Sequence, residues 1–215
     1  MDRFPEPTLS EVDDVPELEE MVARTRGPQP WRKLFHAANG LVIASALTFL
    51  TVPRWTAVGV LAAVLVVLVL IDVVRLRYRA LNELFFRSFT LLASPREATG
   101  PASSTWYTLG VALAVALFSR EHATSAVLVL GLADPAASYA GQRWGHKPFL
   151  GGTVLGSTTF FLVAGGVLGS RHTLPLALIT AAVVTLAERR SWPLDDNLTI
   201  PVACAAALTG LGFVL

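Results

Sequence analysis

The sequence predicts an all-α, polytopic membrane helix bundle of about seven transmembrane helices with a cytoplasmic N-terminus, and three observations lead there. Of 215 residues, 53% are hydrophobic and only 15% are charged, a balance that soluble globular domains do not normally show. The apolar residues gather in seven stretches, about 34–52, 55–74, 104–119, 123–142, 153–170, 173–187 and 198–215, each near the length that crosses a bilayer as a helix. With the N-terminus inside, fourteen Lys and Arg side chains fall on the inner side and three, Arg54, Arg120 and Arg171, on the outer. Cytoplasmic loops carry that excess.

Residues 1–30 read as a separate polar cytoplasmic tail with eight acids, three arginines and five prolines. One short helix is expected there near Val15 to Arg24. The tail lacks the short basic start and apolar run of a secretory signal. Residues 31–215 form the membrane domain. Its stretches end at breakers and charges: Pro53 and Arg54, the long polar segment 75–103, Arg120 to His122, Arg143 to Pro148, Arg171 and His172, and Glu188 to Asn197. The net charge of +1 gives no basic excess that would argue for nucleic acid. The single cysteine, Cys204, lies in an apolar run and excludes both an intramolecular disulfide and a thiolate zinc cluster.

Three polar clusters stand out, and all fall on the inner side. In the fourth stretch Asp134 sits about eleven residues in, where an unpaired carboxylate costs several kcal/mol and marks a candidate functional site. Pro135 suits a first helical turn, so Asp134 is expected to cap a half-helix restarting there. Asp134, Ser138, Gly141 and Gly145 then share one narrow polar face. Gly141 and Gly145 allow close approach by a helix or a phosphate chain, with Arg143, His146 and Lys147 at its end. The first stretch opens on Arg32, Lys33, His36, Asn39 and Gly40, with Arg32, His36 and Gly40 on one face. The third cluster is Glu188 with Asp195, Asp196 and Asn197, where Asp196 or Asn197 caps the last helix or offers the hard oxygen that Mg2+ prefers.

Carboxylates, cations and glycines at one membrane surface suit a metal-bound nucleotide from the cytosol and an amphipathic alcohol from the bilayer. No Walker-type loop, GxGxxG, HExxH or GxSxG run occurs.

At these residues the chain resembles the dolichol kinase, phytol kinase and CTP-dependent diacylglycerol kinase family, the diacylglycerol/polyprenol kinases, which are related to phosphatidate cytidylyltransferases. Arg32, Lys33, His36 and Gly40 look like its RKxxHxxxG start. Arg87 through Ala98, Thr99 and Gly100, with Thr105 and Gly110, is similar to its acidic loop and span entrance. Asp134, Ser138, Gly141, Gly145 and Lys147 look like its nucleotide-binding segment, and Glu188 with Asp196, Asn197 and Pro201 like its closing run. The match covers about residues 30–210. It departs where the family carries a Lys–Ser/Thr–x–Glu–Gly run: Gly152 stands at the Lys and Leu155 at the Glu, while Ala133 replaces a Gly.

The resemblance implies an integral-membrane kinase that phosphorylates a lipid alcohol such as a polyprenol, an isoprenoid alcohol or diacylglycerol, with CTP as co-substrate ahead of ATP and Mg2+ or another divalent cation. It implies that Asp134 and Asp196 hold metal and phosphates, that Glu188 joins them as a metal ligand, and that Asn197 orients them. Arg32, Lys33, Arg143 and Lys147 would supply positive charge, Ser138, Gly141 and Gly145 would line the nucleotide, and His36 would act as base or hydroxyl positioner. The expected location is a bacterial-type inner membrane with the site facing the cytoplasm. A phosphatidate cytidylyltransferase-like enzyme and a divergent non-catalytic or transport protein are the alternative readings.

Overall fold

A computed structural model describes residues 18–27, 29–190 and 194–213, and within them each expected apolar stretch forms one helix. Nine α-helices are described: α1 (Leu18–Arg24), α2 (Pro30–Phe49), α3 (Arg54–Arg77), α4 (Arg79–Ser88), α5 (Ser103–Leu117), α6 (Arg120–Trp144), α7 (Val154–Gly169), α8 (Leu174–Arg189) and α9 (Asp196–Leu211). The short helix expected near Val15 to Arg24 is α1, with Val15 to Glu17 outside the described residues. A 3-10 turn, Pro95–Ala98, precedes α5, and a two-stranded antiparallel hairpin, β1 (Pro148–Phe149) and β2 (Gly152–Thr153), joins α6 to α7.

Local chemistry sets the boundaries. Pro30 opens α2 in its first turn, where a missing N–H costs nothing. The Ser119 side chain accepts from His122 N–H at the start of α6, and Thr153 accepts from Gly156 N–H at the start of α7. Among the described residues, α3 alone is long and apolar enough by length and composition to cross a membrane, while α5, α7 and α9 are apolar but shorter. The expected crossings at α2, α6 and α8 do not meet that test.

The core is built round α6, which packs against α2, α7 and α9. Its Ala123, Ala126, Val127, Val129, Leu130, Ala133 and Ala137 lie in the buried cluster with Val111, Phe160, Ala177, Ile200 and Leu208. At the α2–α6 crossing the two backbones meet at Gly40 and Gly131. A Cβ added at Gly40 would lie 2.6 Å from the Gly131 Cα, and one added at Gly131 would lie 2.8 Å from the Gly40 Cα. Only glycine permits that approach.

Two sequence expectations are corrected here. No half-helix restarts at Pro135: α6 runs unbroken from Arg120 to Trp144 with Pro135 buried inside it, so Asp134 is not a helix cap. The packing of α6 on three neighbours outweighs the one backbone donor that proline removes from the Gly131 carbonyl. The polar segment 75–103 is not a plain loop either, since it folds into α4 and the 3-10 turn round a buried arginine. Arg75, only 3% exposed, donates to Asp72 Oδ1 at 2.7 Å, Asn82 Oδ1 at 2.9 Å and the carbonyls of Glu97 and Gly100 at 2.6 and 2.8 Å. Asp72 Oδ2 in turn accepts from Ala102 N–H and the Thr105 hydroxyl. A buried guanidinium is tolerable when its donors are satisfied in this way.

The arginines counted as outer loop charges do a different job from solvated anchors. Arg54 donates from Nε to the Val115 carbonyl at 2.9 Å and also bonds the Ala116 carbonyl, closing the end of α5. Arg120 bonds the carbonyls of Leu47, Leu50 and Val52 at the end of α2. Helix C-termini leave carbonyls without intrahelical donors and favour a cation.

Candidate functional site

One cavity of about 780 Å³ collects most of the polar residues singled out in the sequence. Its walls come from the first turns of α2, the segment 94–103, the second half of α6 and the entrance to α9. Arg32, Lys33 and His36 line it from α2, Asp134, Ser138 and Gln142 from α6, and Asp195, Asp196 and Asn197 from the entrance to α9. The helical period puts Arg32 and His36 on one face, and the α2–α6 crossing at Gly40 and Gly131 turns that face toward Asp134.

His36 and Asp134 meet at the inner end. His36 Nε2 lies 3.2 Å from the Leu130 carbonyl and 3.7 Å from Asp134 Oδ2, and its ring meets Tyr107 edge-on at 4.9 Å. Carbonyl and carboxylate oxygens only accept, so the ring proton sits on Nε2 and Nδ1 is left as an acceptor. Asp195, not Asp196 or Asn197, is the N-cap of α9. Its Oδ1 accepts from Asn197 N–H at 3.0 Å and from Asn197 Nδ2 at 2.6 Å. Burial, and then the charge of Asp196, pushes the Asp195 carboxyl up to about 6. Asn197 is 3% exposed, and its Oδ1 is buried with no hydrogen-bond partner among the described residues.

The cations come from the first turn of α2. Arg32 donates to Ser103 Oγ at 3.1 Å and to Gln29 Oε1 at 3.4 Å, and Lys33 donates to Gln142 Oε1 at 2.7 Å. Ser103 Oγ donates in its turn to Glu97 Oε1 at 2.6 Å. Burial raises the Glu97 carboxyl above its ordinary value, against the lowering effect of its bonds from Ser103. Arg26 and Arg96 also line the cavity, as do four carboxylates, Glu97, Asp134, Asp195 and Asp196. Among the described residues no ion pair joins any of these Arg or Lys side chains to a carboxylate, although Arg24, Arg75, Arg79 and Arg189 are each paired elsewhere.

Several expected site residues stand apart from the cavity lining. Gly141 and Gly145 face α7: an added Cβ at Gly141 would lie 2.9 Å from Thr153 Oγ1, and Thr153 Oγ1 also fills the side-chain space of Gly145. Helix approach occupies the face that the sequence offered to a phosphate chain. Arg143 and Lys147 are exposed near the end of α6 and beyond it. Glu188 ends α8 in an ion pair with Arg189 at 2.5 Å, yet it feels the charges of Asp134 and Asp196. Among the described residues no three His, Cys, Asp or Glu side chains gather closely enough to enclose a metal, so Asp134, Asp196 and Glu188 do not form a closed cage. At the departure from the family run, the Arg189 guanidinium occupies the space of a side chain at Gly152, and Leu155 is 39% exposed.

The residues that sequence reasoning missed are Glu97, Ser103, Gln29 and Gln142. Glu97 lies in an acidic loop with no helical period to single it out, and the neutral Ser103, Gln29 and Gln142 carry no charge signal. They become visible only when α2, α6 and the 94–103 segment come together.

The chain is 30% identical over 158 residues to CTP-dependent diacylglycerol kinase 1 of Schizosaccharomyces pombe, a match over 64% of this chain and 72% of that protein. It is 32% identical over 115 residues to CTP-dependent diacylglycerol kinase 1 of Eremothecium gossypii, where it spans 54% of this chain but only 36% of the relative. An uncharacterised protein of Rickettsia prowazekii is 25% identical over 196 residues, 86% of this chain and 95% of the relative. No family model matches the chain. No solved structure matches it. The ordered motifs and the match over most of the Schizosaccharomyces pombe protein place this chain in the diacylglycerol/polyprenol kinase family, with the CTP-dependent diacylglycerol kinases.

Proposed function

We propose that this chain is an integral-membrane kinase that transfers the γ-phosphoryl group of CTP to the hydroxyl of a lipid alcohol, with diacylglycerol the first candidate and polyprenols and shorter isoprenoid alcohols next. The names of its relatives support the donor and the diacylglycerol acceptor. The observation that carries the reading is the separation of charge within one cavity. Carboxylates from α6 and α9 and cations from α2 line the same space without pairing. A metal–triphosphate complex satisfies both sets at once, because its cation answers the carboxylates and its phosphates answer the guanidinium and ammonium.

The donor set fits Mg2+, which keeps several waters and is commonly held by one or two carboxylates plus substrate phosphates. Asp134 and Asp196 would hold it, and Asn197 Oδ1, buried without a partner among the described residues, would supply a further oxygen. When bound, the metal would neutralise phosphate charge as the transferred group loosens from its leaving oxygen. Arg32 and Lys33 stabilise the same charge from α2. His36, with its proton on Nε2, takes the hydroxyl proton at Nδ1. A new lipid O–P bond forms as the bond from the γ-phosphorus to the β-bridging oxygen breaks, and CDP leaves. The membrane reading rests on α3, on the apolar α5, α7 and α9, and on the inward bias of Lys and Arg. On this reading the cavity would open at the cytoplasmic face of a bacterial-type inner membrane.

The test is transfer from γ-labelled CTP, with labelled ATP in parallel, to diacylglycerol, polyprenol and shorter isoprenoid alcohols by purified detergent-solubilised protein. Labelled phosphatidate from CTP is expected. Incorporation of label from the α-phosphate would show a cytidylyltransferase instead. No transfer from folded protein with any donor would make the chain non-catalytic.

A further inference from the structure

We propose that Ser103 and Gln142 are positioning residues that hold Arg32 and Lys33 toward the phosphates of a bound nucleotide through uncharged acceptors, so that neither cation is neutralised before the ligand arrives. The proposal rests on the functional reading above and adds residues to it that neither the relatives' names nor the motifs assign. It begins from a contrast within the chain. Several arginines are paired with a carboxylate, Arg75 with Asp72 at 2.7 Å, Arg79 with Glu83 at 2.8 Å and Arg189 with Glu188 at 2.5 Å, while Arg54 and Arg120 close helix-end carbonyls away from the cavity. Arg32 and Lys33 share a cavity with four carboxylates and instead rest on a hydroxyl and two side-chain amides.

The arrangement at Ser103 is directional. A serine hydroxyl has one proton and can both donate and accept. Here the proton goes to Glu97 Oε1 at 2.6 Å, which leaves a lone pair for Arg32 Nη2 at 3.1 Å. Ser103 N–H bonds the same Glu97 oxygen at 3.2 Å, fixing the start of α5 in this register. Glu97 thus aims the arginine without touching it. The loop that carries Glu97 is in turn anchored by Arg75, which donates to the Glu97 carbonyl. From α6, Gln142 Oε1 takes Lys33 Nζ at 2.7 Å, while Gln142 Nε2 reaches Ser138 Oγ at 3.4 Å. That second contact orients the amide with its oxygen to the lysine. A carboxylate at either place would bind the cation more strongly and lower the positive potential offered to a phosphate.

The substitution that separates positioning from simple packing is Gln142→Glu, because it keeps the shape and changes only the charge. The measurement is calorimetric binding of inorganic tripolyphosphate and of CTP, each with Mg2+, to the full chain in detergent, with thermal unfolding recorded for every variant. Gln142→Ala is expected to weaken binding a few-fold, and Gln142→Glu by about tenfold more, with an unfolding midpoint at or above that of the unaltered chain. Ser103→Ala is expected to weaken binding about tenfold, Ser103→Thr to restore it, and Ser103→Ala to add nothing in an Arg32→Ala background. Gln142→Glu binding as well as or better than Gln142→Ala would overturn the proposal. So would an undiminished Ser103→Ala, or an unaltered chain that binds neither ligand. Binding with this ordering but without phosphoryl transfer would refute the kinase reading and leave the positioning role standing.

Discussion

Arg75 and Arg32 carry the same charge, and charge alone does not tell their jobs apart. Arg75 is buried among four acceptors, one of them the Asp72 carboxylate, and stacks its guanidinium 4.3 Å from the centre of the Phe85 ring. It holds the 95–102 segment against α3. Arg32 has two neutral partners and an opening in front of it. Arg75 uses its donors on the fold, whereas Arg32, held on two neutral side chains at the cavity, keeps its field for a ligand. The contrast locates the working part of the molecule more sharply than any single motif does.

The contrast breaks most visibly at Arg75. Replacing it with Met should remove about 3–5 kcal/mol of folded stability, because Asp72 is left as an unpaired buried charge; denaturant or thermal unfolding in detergent measures this. Lipid phosphorylation per folded molecule should fall only a few-fold, through the loosened Glu97 segment. Arg32→Ala should do the reverse, lowering phosphoryl transfer by about 100-fold or more while the unfolding midpoint stays within about 1 kcal/mol of the original. Transfer rates normalised to folded protein separate the two cases. Asp134→Asn should resemble Arg32→Ala and not Arg75→Met. Its activity falls, and its stability holds or rises slightly as a carboxylate is removed from a mostly apolar helix.

Smaller effects sharpen the same division. Gly131→Ala should cost about 1–3 kcal/mol, because a Cβ there would press on the Gly40 backbone and part α2 from α6, taking His36 away from Asp134. Unfolding and transfer should therefore decline together. Arg120→Ala, far from the cavity at the end of α2, should cost about 0.5–1 kcal/mol through lost contacts to helix carbonyls, with the transfer rate per folded molecule unchanged.

Much of the bundle is legible in the sequence, since seven apolar stretches bounded by Pro, Arg and Gly correspond to seven helices within a few residues at each end. The helix break at Asp134 is not there, because proline removes only one local hydrogen bond, whereas α6 is held through it by neighbours on several sides. The 75–103 segment looks like a loop because its order comes from one arginine reaching carbonyls 22 and 25 residues away. Composition cannot show such a knot. Within the site, the charged members Arg32, Lys33, His36, Asp134 and Asp196 announce themselves by lying in or beside apolar runs. Gly141 and Gly145 announce closeness but not to what, and the structure gives Thr153 as the neighbour. Gly152 reads as a lost cation until α8 is folded beside it and Arg189 fills the space.

The central claim is that carboxylates and cations are held apart so that a metal–triphosphate complex can join them. Equilibrium binding of CTP to the purified chain with and without Mg2+, repeated on Asp134→Asn, tests it most directly. The account predicts one CTP per chain, binding that depends on Mg2+, and loss of the Mg2+-dependent part in Asp134→Asn. Equal binding with and without the metal, or binding by Asp134→Asn that keeps its full response to Mg2+, would contradict it.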